Sequence, residues 1–381
     1  MTTQFELTDE QLAIQDMARK FTADEITPFA AEWDETHHFP RDVIQKTGEL
    51  GFGAIYVSEE SGGIALGRLE AALIMEAMAY GCPATSSYIS IHNMASWMID
   101  RFGSDEVKAK FLPRLVTMEH IASYALTEPA SGSDAAGLKT TAKLDGDHYV
   151  LNGTKQFISG SGFNDIYVVM VRTGEHKSKG ISCLVVEKGT PGLSHGAPEK
   201  KLGWNASPTA QLIFEDCRVP VENRIGQEGE GFSFAMAGLD GGRLNIGACS
   251  LGGAQRCLDE AVAYTKERQQ FGQPIADFQN TQFMLADMAT ELEAARALLY
   301  LAAAKVTANA PDKTRFSAMA KRLATDSGSN VVNNALQLFG GYGYLKDYPI
   351  ERFWRDLRVH SILEGTNQVM RMIVGRDMLR Q

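Results

Sequence analysis

Basic residues are in short supply in this sequence. Over 381 residues, 37 Lys and Arg face 47 Asp and Glu, a formal net charge of −10. Neutralising phosphates takes a surplus of basic side chains, so nonspecific nucleic-acid binding is disfavoured as the main task. An anionic small molecule would have to be met at a locally basic site. Cysteine is sparse too. Cys82, Cys183, Cys217, Cys249 and Cys257 are odd in number and show no C-x-x-C pair or zinc-like spacing, which argues against a disulfide scaffold. Cys183, inside the apolar run 181–186, reads as a small buried hydrophobe. No stretch approaches ~20 uninterrupted apolar residues, so no membrane-spanning helix is expected. Glu6, Asp9 and Glu10 interrupt the segment where a signal peptide would need an apolar core. The expectation is a soluble, intracellular protein in a reducing compartment.

Several motifs are missing as well. Without a Gly-Lys dipeptide there is no G-x-x-x-x-G-K-[ST] phosphate loop, and there is no H-E-x-x-H helix. The eight histidines are scattered, and His37-His38 reads as a solvated loop, so no metal site is expected. Gly160-Ser161-Gly162 comes nearest to a dinucleotide fingerprint, but Asp165 replaces the third glycine and no βαβ unit surrounds it.

What is present falls into three zones. From Thr8 to about Glu119 the pattern is helical: Thr8 and Gln11 suit a capping box, with Leu12, Met17, Phe21 and Ile26 on one face. Further helices are expected at 42–50, 69–80, 89–102 and 105–117. Residues 121–231 hold 15 of the 36 glycines and five of the 12 prolines, the mark of short strands and turns. Asp145-Gly146 and Asn152-Gly153 suit hairpin turns, predicting a three-stranded meander over 140–159. Strands at 165–172, 180–187 and 210–215 would complete an antiparallel β domain. From about Phe232 long helices return. Leu244, Ala248, Leu251, Leu258 and Val262 share one face, 283–304 is rich in Ala and Leu, and Phe316, Met319, Leu323, Val331 and Leu338 mark a third helix. A last helix is expected over 366–379. The expected architecture is mainly α with a central β barrel or sandwich: a helical domain over 1–120, a β domain over 121–231, and a four-helix bundle over 232–381.

Four local features could carry chemistry. The stretch 127–134, Thr-Glu-Pro-Ala-Ser-Gly-Ser-Asp, offers hydroxyls and backbone donors after a strand, although a plain turn would look the same. The segment 337–344 is a helix end followed by glycines, which let a ligand approach the backbone or simply cap the helix. Arg268 and Phe271 lie near another helix end, where a surface ion pair would serve equally well. Glu364 follows Ile362-Leu363 just before a helix start: burial would raise its pKa and suit proton abstraction, whereas the helix N-terminus would favour the anion.

In combination, the motifs 124–134, Glu267-Arg268 with Phe271-Gly272, Gly340-Gly341-Tyr342-Gly343 and Glu364-Gly365-Thr366 resemble the acyl-CoA dehydrogenase family, and the resemblance runs over essentially the whole chain. Within the family the likeness is to members acting on short branched acyl chains, isobutyryl above all. Segments 88–94, 166–170, 180–183, 341–348 and 358–365 carry it. The resemblance implies an FAD-dependent α,β-dehydrogenation in valine breakdown, with electrons passed to electron-transfer flavoprotein. The alternatives are a butyryl or 2-methylbutyryl enzyme, an oxidase, or a noncatalytic regulatory relative.

It also implies roles by position. Glu364 would be the catalytic base; Gly242, where other members carry the base, cannot serve. Tyr124, Leu126, Thr127, Ser133, Phe157, Ile158 and Ser159 would meet the flavin, Arg268 and Phe271 its adenine and pyrophosphate end, and Thr366 and Gln368 would complete the site. Gln337, Gly340 and Gly341 would come from a neighbouring subunit, implying a dimer at least and a homotetramer as the usual state. Ser133, Asp240, Arg243, Gly365 and Arg376 would hold the acyl-CoA substrate. Phe157 stands where many members have Trp, which bears on the electron acceptor. The implied location is a bacterial cytoplasm, or the mitochondrial matrix for a processed eukaryotic form.

Overall fold

A computed structural model describes residues 6–380. Helix α1 (Asp9–Phe21) starts on the expected capping box: Gln11 N donates to Thr8 Oγ1 at 3.2 Å, and Thr8 N donates to Gln11 Oε1 at 3.1 Å. Its buried stripe differs from the expected one. Leu12 and Met17 face solvent, while Gln15, Ala18, Thr22 and Ile26 turn inward. The seam is closely packed at Gly81, where a Cβ would lie 2.6 Å from Thr22 Cγ2 and 3.2 Å from Ile26 Cγ2. Helices α2 (Ala30–Thr36), α3 (Arg41–Lys46), α4 (Arg68–Ala79), α5 (Pro83–Phe102) and α6 (Asp105–Val116) follow. Helix α5 begins earlier than the expected 89. Pro83 sits in its first turn, where a missing N–H costs no hydrogen bond, so the proline opens the helix instead of ending one.

The glycine-rich middle forms one eight-stranded sheet from β1 (Ala122–Ala125), β2 (Thr141–Asp145), β3 (His148–Ser159), β4 (Ile166–Arg172), β5 (Ile181–Glu187), β6 (Leu193–His195), β7 (Thr209–Pro220) and β8 (Arg224–Ile225). Two expectations change here. Asn152-Gly153 is not a turn: β3 runs through it with a register shift against β7, so 140–159 is a hairpin and not a meander. Glycine is needed there because a Cβ would lie 2.7 Å from Thr140 Cα. Nor is the sheet wholly antiparallel, since β1 and β4 pair in parallel from Ala122↔Ile166 to Ala125↔Val169, and β2 meets β4 in parallel at Thr141↔Arg172. Alternate residues of β4 and β5 enter two different cores. Tyr167, Val169, Leu184 and Val186 join Leu151 and Phe214 inside the curled sheet, while Val168, Met170, Cys183 and Val185 pack on Met98, Phe111 and Phe234 of the helices. Both faces being covered, these strands read as unbroken apolar runs. All five cysteines are buried free thiols.

The C-terminal part comprises α7 (Gly231–Glu267), the hairpin β9 (Gln269–Gln270) and β10 (Gln273–Pro274), α8 (Gln279–Thr307), α9 (Lys313–Phe339), α10 (Ile350–Arg358) and α11 (Asn367–Met378). The sequence reading missed α10. On α9 the expected stripe of Phe316, Met319, Leu323 and Leu338 is only half-buried, and the buried positions are Ser317, Ala320, Lys321, Ala324, Gly328, Val331 and Ala335. Small residues win because α9 lies close on α7: a Cβ at Gly328 would stand 3.1 Å from Ser250 O. Helix α7 is buried on almost every side between 238 and 254, touching α4, α5, α8 and α9, so a one-sided apolar stripe understates its role. Its glycines are the points of closest approach. Among the described residues no helix is long and apolar enough to cross a membrane.

A Cβ at Gly252 would fall 2.1 Å from Glu76 O of α4 and 3.0 Å from Ala79 Cβ. Alanine gains about 1 kcal/mol of helix propensity over glycine, but overpacking against a backbone atom costs about 1–3 kcal/mol. Gly252→Ala is therefore expected to lower stability, read as an earlier denaturant midpoint with an unchanged slope; an equal or later midpoint would show that the two helices can part without cost.

Candidate active site

Just before α11 the chain bends through two left-handed residues, Glu364 (φ 56°) and Gly365 (φ 91°). That conformation costs a non-glycine residue about 1–2 kcal/mol, and the surrounding side chains hold it. Lys321 Nζ, on α9, donates to Gly365 O at 2.8 Å and to Asn367 Oδ1 at 2.9 Å. Arg243 Nε, on α7, donates to Glu364 O at 3.3 Å. Val369 N donates to Thr366 Oγ1 at 3.2 Å, capping α11. The bend drives the Glu364 carboxyl onto α7 at Gly242, where a Cβ would lie 2.4 Å from Oε2. A side chain at 242 and this carboxyl therefore compete for one space.

Glu364 is half-buried as a residue, yet Oε2 is sealed from solvent with no hydrogen-bond partner. Burial pushes its pKa up to about 7, with Arg243 and Lys321 pulling the other way. Burial also lowers Lys321 to about 8, opposed by Glu364. Desolvation outweighs attraction on both sides, so the carboxyl is poised to exchange a proton near neutrality. Tyr124 at the end of β1 has its hydroxyl sealed and unpaired, and burial together with Glu364's charge holds the phenol well above its ordinary range.

Arg243 is itself buried. Its Nη1 donates to Asp240 Oδ1 at 2.8 Å, and Asp240 Oδ2 accepts from Thr314 Oγ1 at 2.6 Å. Asp240 thus neutralises the arginine, and the pair stands beside the carboxyl and away from the rim. Behind the bend, fully buried His360 accepts from Trp204 Nε1 at 3.2 Å and bonds Ser250 Oγ through Nδ1 at 2.7 Å. Trp204 N donates to Asp356 Oδ1 at 2.6 Å. The loop before β7 is thereby tied to the segment that carries Glu364.

The remaining expected residues form two groups. The first comprises Leu126, Thr127 and Ser133 on the loop after β1, and Phe157, Ile158 and Ser159 on β3. Gln156 N donates to Thr127 O at 2.8 Å, joining the two stretches. The buried ion pair Lys155–Glu128, at 2.8 Å, fixes the loop, and Glu128 also accepts from Lys139 N and Thr140 N. Phe157 projects into solvent with φ 58°, Ser133 is exposed, and the Ile158 side chain lies in the sheet's interior, leaving only its backbone to meet a ligand. The second group is Arg268, Gln337, Gly340 and Gly341, which line a cavity of about 520 Å³ with Tyr264, Gln270 and Tyr342. Phe271 is 95 % exposed on the neighbouring hairpin. Gln368 and Arg376 are exposed on α11.

Sequence reasoning missed Lys321, Trp204, His360 and the Lys155–Glu128 pair. A signal existed for Lys321. It falls at the spacing of Ser317, Ala324, Gly328 and Val331, so a lysine sat on the buried face of an otherwise small-residue helix. The other three are long-range contacts with no local pattern.

Known proteins match this chain along nearly its whole length. The acyl-CoA dehydrogenase N-terminal, middle and C-terminal domain models match residues 8–119, 123–217 and 229–379. The mitochondrial isobutyryl-CoA dehydrogenase of Dictyostelium discoideum is 58 % identical over 98 % of this chain and 90 % of its own. The solved butyryl-CoA dehydrogenase of Megasphaera elsdenii superposes with a TM-score of 0.96 at 39 % identity, covering 99 % of this chain and all of that one. PigA solved with FAD and proline superposes at 0.96 and 32 % identity over the full length of both chains. A carboxyl lodged at Gly242 between a β domain and two helical regions is thus set in a frame shared from end to end, and the chain belongs to the acyl-CoA dehydrogenase family.

Proposed function

We propose that this protein dehydrogenates a short branched acyl-CoA, isobutyryl-CoA to methacrylyl-CoA, with FAD as cofactor and electron-transfer flavoprotein as acceptor, in valine breakdown. The observation that carries the reading is the sealed, unpartnered Glu364 carboxyl, pushed up to about 7 and lodged against Gly242.

The residues fit FAD. The unpaired Tyr124 hydroxyl, the hydroxyls of Thr127 and Ser133, and the projecting Phe157 ring supply donors and a flat apolar cover on the β side. In the second group, Arg268 supplies a cation, and nothing stands within 4 Å of a Cβ built on Gly340 or Gly341, so a diphosphate can approach that backbone. The family resemblance implies that Gln337, Gly340 and Gly341 reach the flavin from a neighbouring subunit, so each copy would lend this segment to another, with a homotetramer as the working assembly. Bound FAD would accept the β hydrogen as hydride.

Glu364 performs the proton step. Ionised, it takes the α proton of the thioester, leaving an electron pair that becomes the new double bond. Buried Arg243 holds the Glu364 carbonyl, and Lys321 that of Gly365, so the carboxyl keeps its aim through the reaction. An apolar acyl group covering Oε2 would exclude water further and strengthen the base. Asp240 and Arg243, buried beside the carboxyl, would meet the substrate there, Ser133 and Gly365 would touch the thioester end, and exposed Arg376 is available to the nucleotide end of coenzyme A. The superposition on a butyryl-CoA enzyme favours one second reading, a straight short-chain substrate at the same site. A cytoplasmic or mitochondrial-matrix setting suits either.

Titrating the purified yellow protein with isobutyryl-CoA without oxygen should bleach the visible flavin band. Glu364→Gln should retain FAD and bind the thioester while losing turnover by about 10²–10⁴-fold; wild-type turnover in that variant would remove Glu364 from the mechanism. Stability follows the same shift. A carboxyl whose folded pKa exceeds its unfolded value of about 4.3 stabilises fully below that value and loses the contribution as pH rises through about 7. The difference in unfolding free energy between Glu364→Gln and wild type should therefore grow in favour of the variant from pH ~4 to ~7, and a difference flat across that window would speak against the buried carboxyl.

A further inference from the structure

A continuous set of contacts runs from the end of β3 to the bend that carries Glu364. Ser159, the last residue of β3, pairs with Thr209 of β7, and Gly160 N just beyond donates to Pro208 O at 2.8 Å. Before Pro208 the chain closes on itself: Lys201 Nζ donates to Ser207 O at 2.7 Å, and Ser207 N donates to Trp204 O at 2.9 Å. Trp204 is the buried tip of this turn, left-handed at φ 55°. Gly203 beside it lies directly on α10, where a Cβ would stand 2.6 Å from Arg355 O, and Trp204 N is held by Asp356. The indole N–H then reaches His360, four residues before Glu364. His360 belongs to the single turn Val359–Ser361 from which the bend starts: Ile362 N and Leu363 N both donate to Val359 O, at 2.8 and 3.1 Å.

The partners of His360 fix its tautomer. An indole can only donate, so Nε2 is the bare acceptor and Nδ1 carries the hydrogen. Nδ1 donates to Ser250 Oγ, which donates onward to Ile246 O at 3.0 Å. Burial lowers the imidazole to about 3, and the nearby Lys321 charge pushes the same way, so the ring stays neutral. Gly242, Ile246 and Ser250 are spaced four apart on α7 and share one face. The hydrogens of this chain all point one way, from the β domain through the bend to the face of α7 against which the Glu364 carboxyl is lodged. A ring needed only for packing would not have to donate, and a fully buried imidazole left with one bare nitrogen would cost free energy.

We infer that Trp204 and His360 are positioning residues that register the Glu364 carboxyl against the flavin-side end of β3; the inference rests on the dehydrogenase reading above. Taking a proton and a hydride from adjacent carbons of one short acyl chain requires the carboxyl and the hydride acceptor to be fixed relative to each other, and a misplacement of about 1 Å costs about 10²-fold in rate. Lys321 and Arg243 hold the bend from α9 and α7. Trp204 adds the hold from the β domain, the side on which the cofactor would lie.

The test compares Trp204→Phe, which keeps a ring and the backbone bond to Asp356 but removes the indole hydrogen, with His360→Asn, whose amide can still donate to Ser250 but is too short to reach the indole. Two readouts are taken on the FAD-bound proteins: kcat and KM for isobutyryl-CoA, and, without substrate, the midpoint at which the Glu364 carboxyl band titrates in the infrared. Arg243 and Cys249 of α7, Lys321 of α9, Tyr124 of β1 and Tyr56 before α4 face that carboxyl and are untouched by either change, so a shifted midpoint reports a moved carboxyl. Both variants should lose about 10²-fold in kcat with KM little changed, and the midpoint should fall from about 7 toward the ordinary value of about 4.3 as the carboxyl leaves Gly242 for solvent. A folded variant with wild-type kcat and midpoint would overturn the inference, as would a loss of thermal stability with both readouts unchanged, which is what packing alone predicts. Should Trp204→Phe fail to fold, His360→Asn carries the same two readouts. If wild type oxidises no acyl-CoA, the fault lies with the proposed reaction, and the midpoint decides by itself: a fall in the variants supports the positioning role, and an unmoved midpoint contradicts it.

Discussion

The site depends on keeping one carboxyl dry. Glu364 is pressed into α7 at Gly242, Oε2 has no hydrogen-bond partner, and two buried cations stand near it without restoring its ordinary acidity. Such an arrangement is unfavourable in isolation, since a desolvated carboxylate and a left-handed glutamate both cost free energy. The rest of the fold supplies what holds it: Lys321 from α9 and Arg243 from α7 grip the backbone on either side of the bend, and Trp204 and His360 tie that bend to the β domain. The glutamate is thus positioned by contacts to its backbone, leaving its carboxyl free to gain and lose a proton.

The same requirement explains the glycines of α7. A helix running through the middle of the molecule must let Glu364, Arg68, α4 and α8 approach at once, and Gly242, Gly241, Gly252 and Gly247 are the residues at those contacts. Glycine weakens a helix interior by up to about 1 kcal/mol per position. Burial on nearly all sides offsets that cost here.

Local patterns in the sequence made the order of helical, β and helical regions legible, along with the Thr8 capping box, most helix ends and the placing of Glu364 just before a capped helix. Each of these is written in neighbouring residues: a hydroxyl three before a glutamine, a glycine after an apolar stripe, a carboxylate before a cap. What was not legible depended on contacts distant in sequence. Gly153 looks like a turn residue until Thr140 is seen against it, Pro83 looks like a break until it opens α5, and the inward faces of α1 and α9 carry polar or small residues, such as Gln15, Ala18 and Ala324, that a hydropathy pattern ranks below Leu12, Met17 or Phe316. Lys321 escaped for the same reason, because its partners, Gly365 O and Asn367, lie more than forty residues away in sequence. The flavin roles proposed for the β-side residues rest on the family likeness alone, since a Ser/Thr/Gly loop has no unique chemistry of its own.

The most direct measurement is the titration of the Glu364 carboxyl itself, followed by infrared difference spectroscopy of wild type against Glu364→Gln across pH in the absence of substrate. The account predicts a carboxyl band that disappears with a midpoint near pH 7. A midpoint in the ordinary glutamate range, about 4.3, would mean that the carboxyl is solvated and that burial against Gly242 does not tune the base.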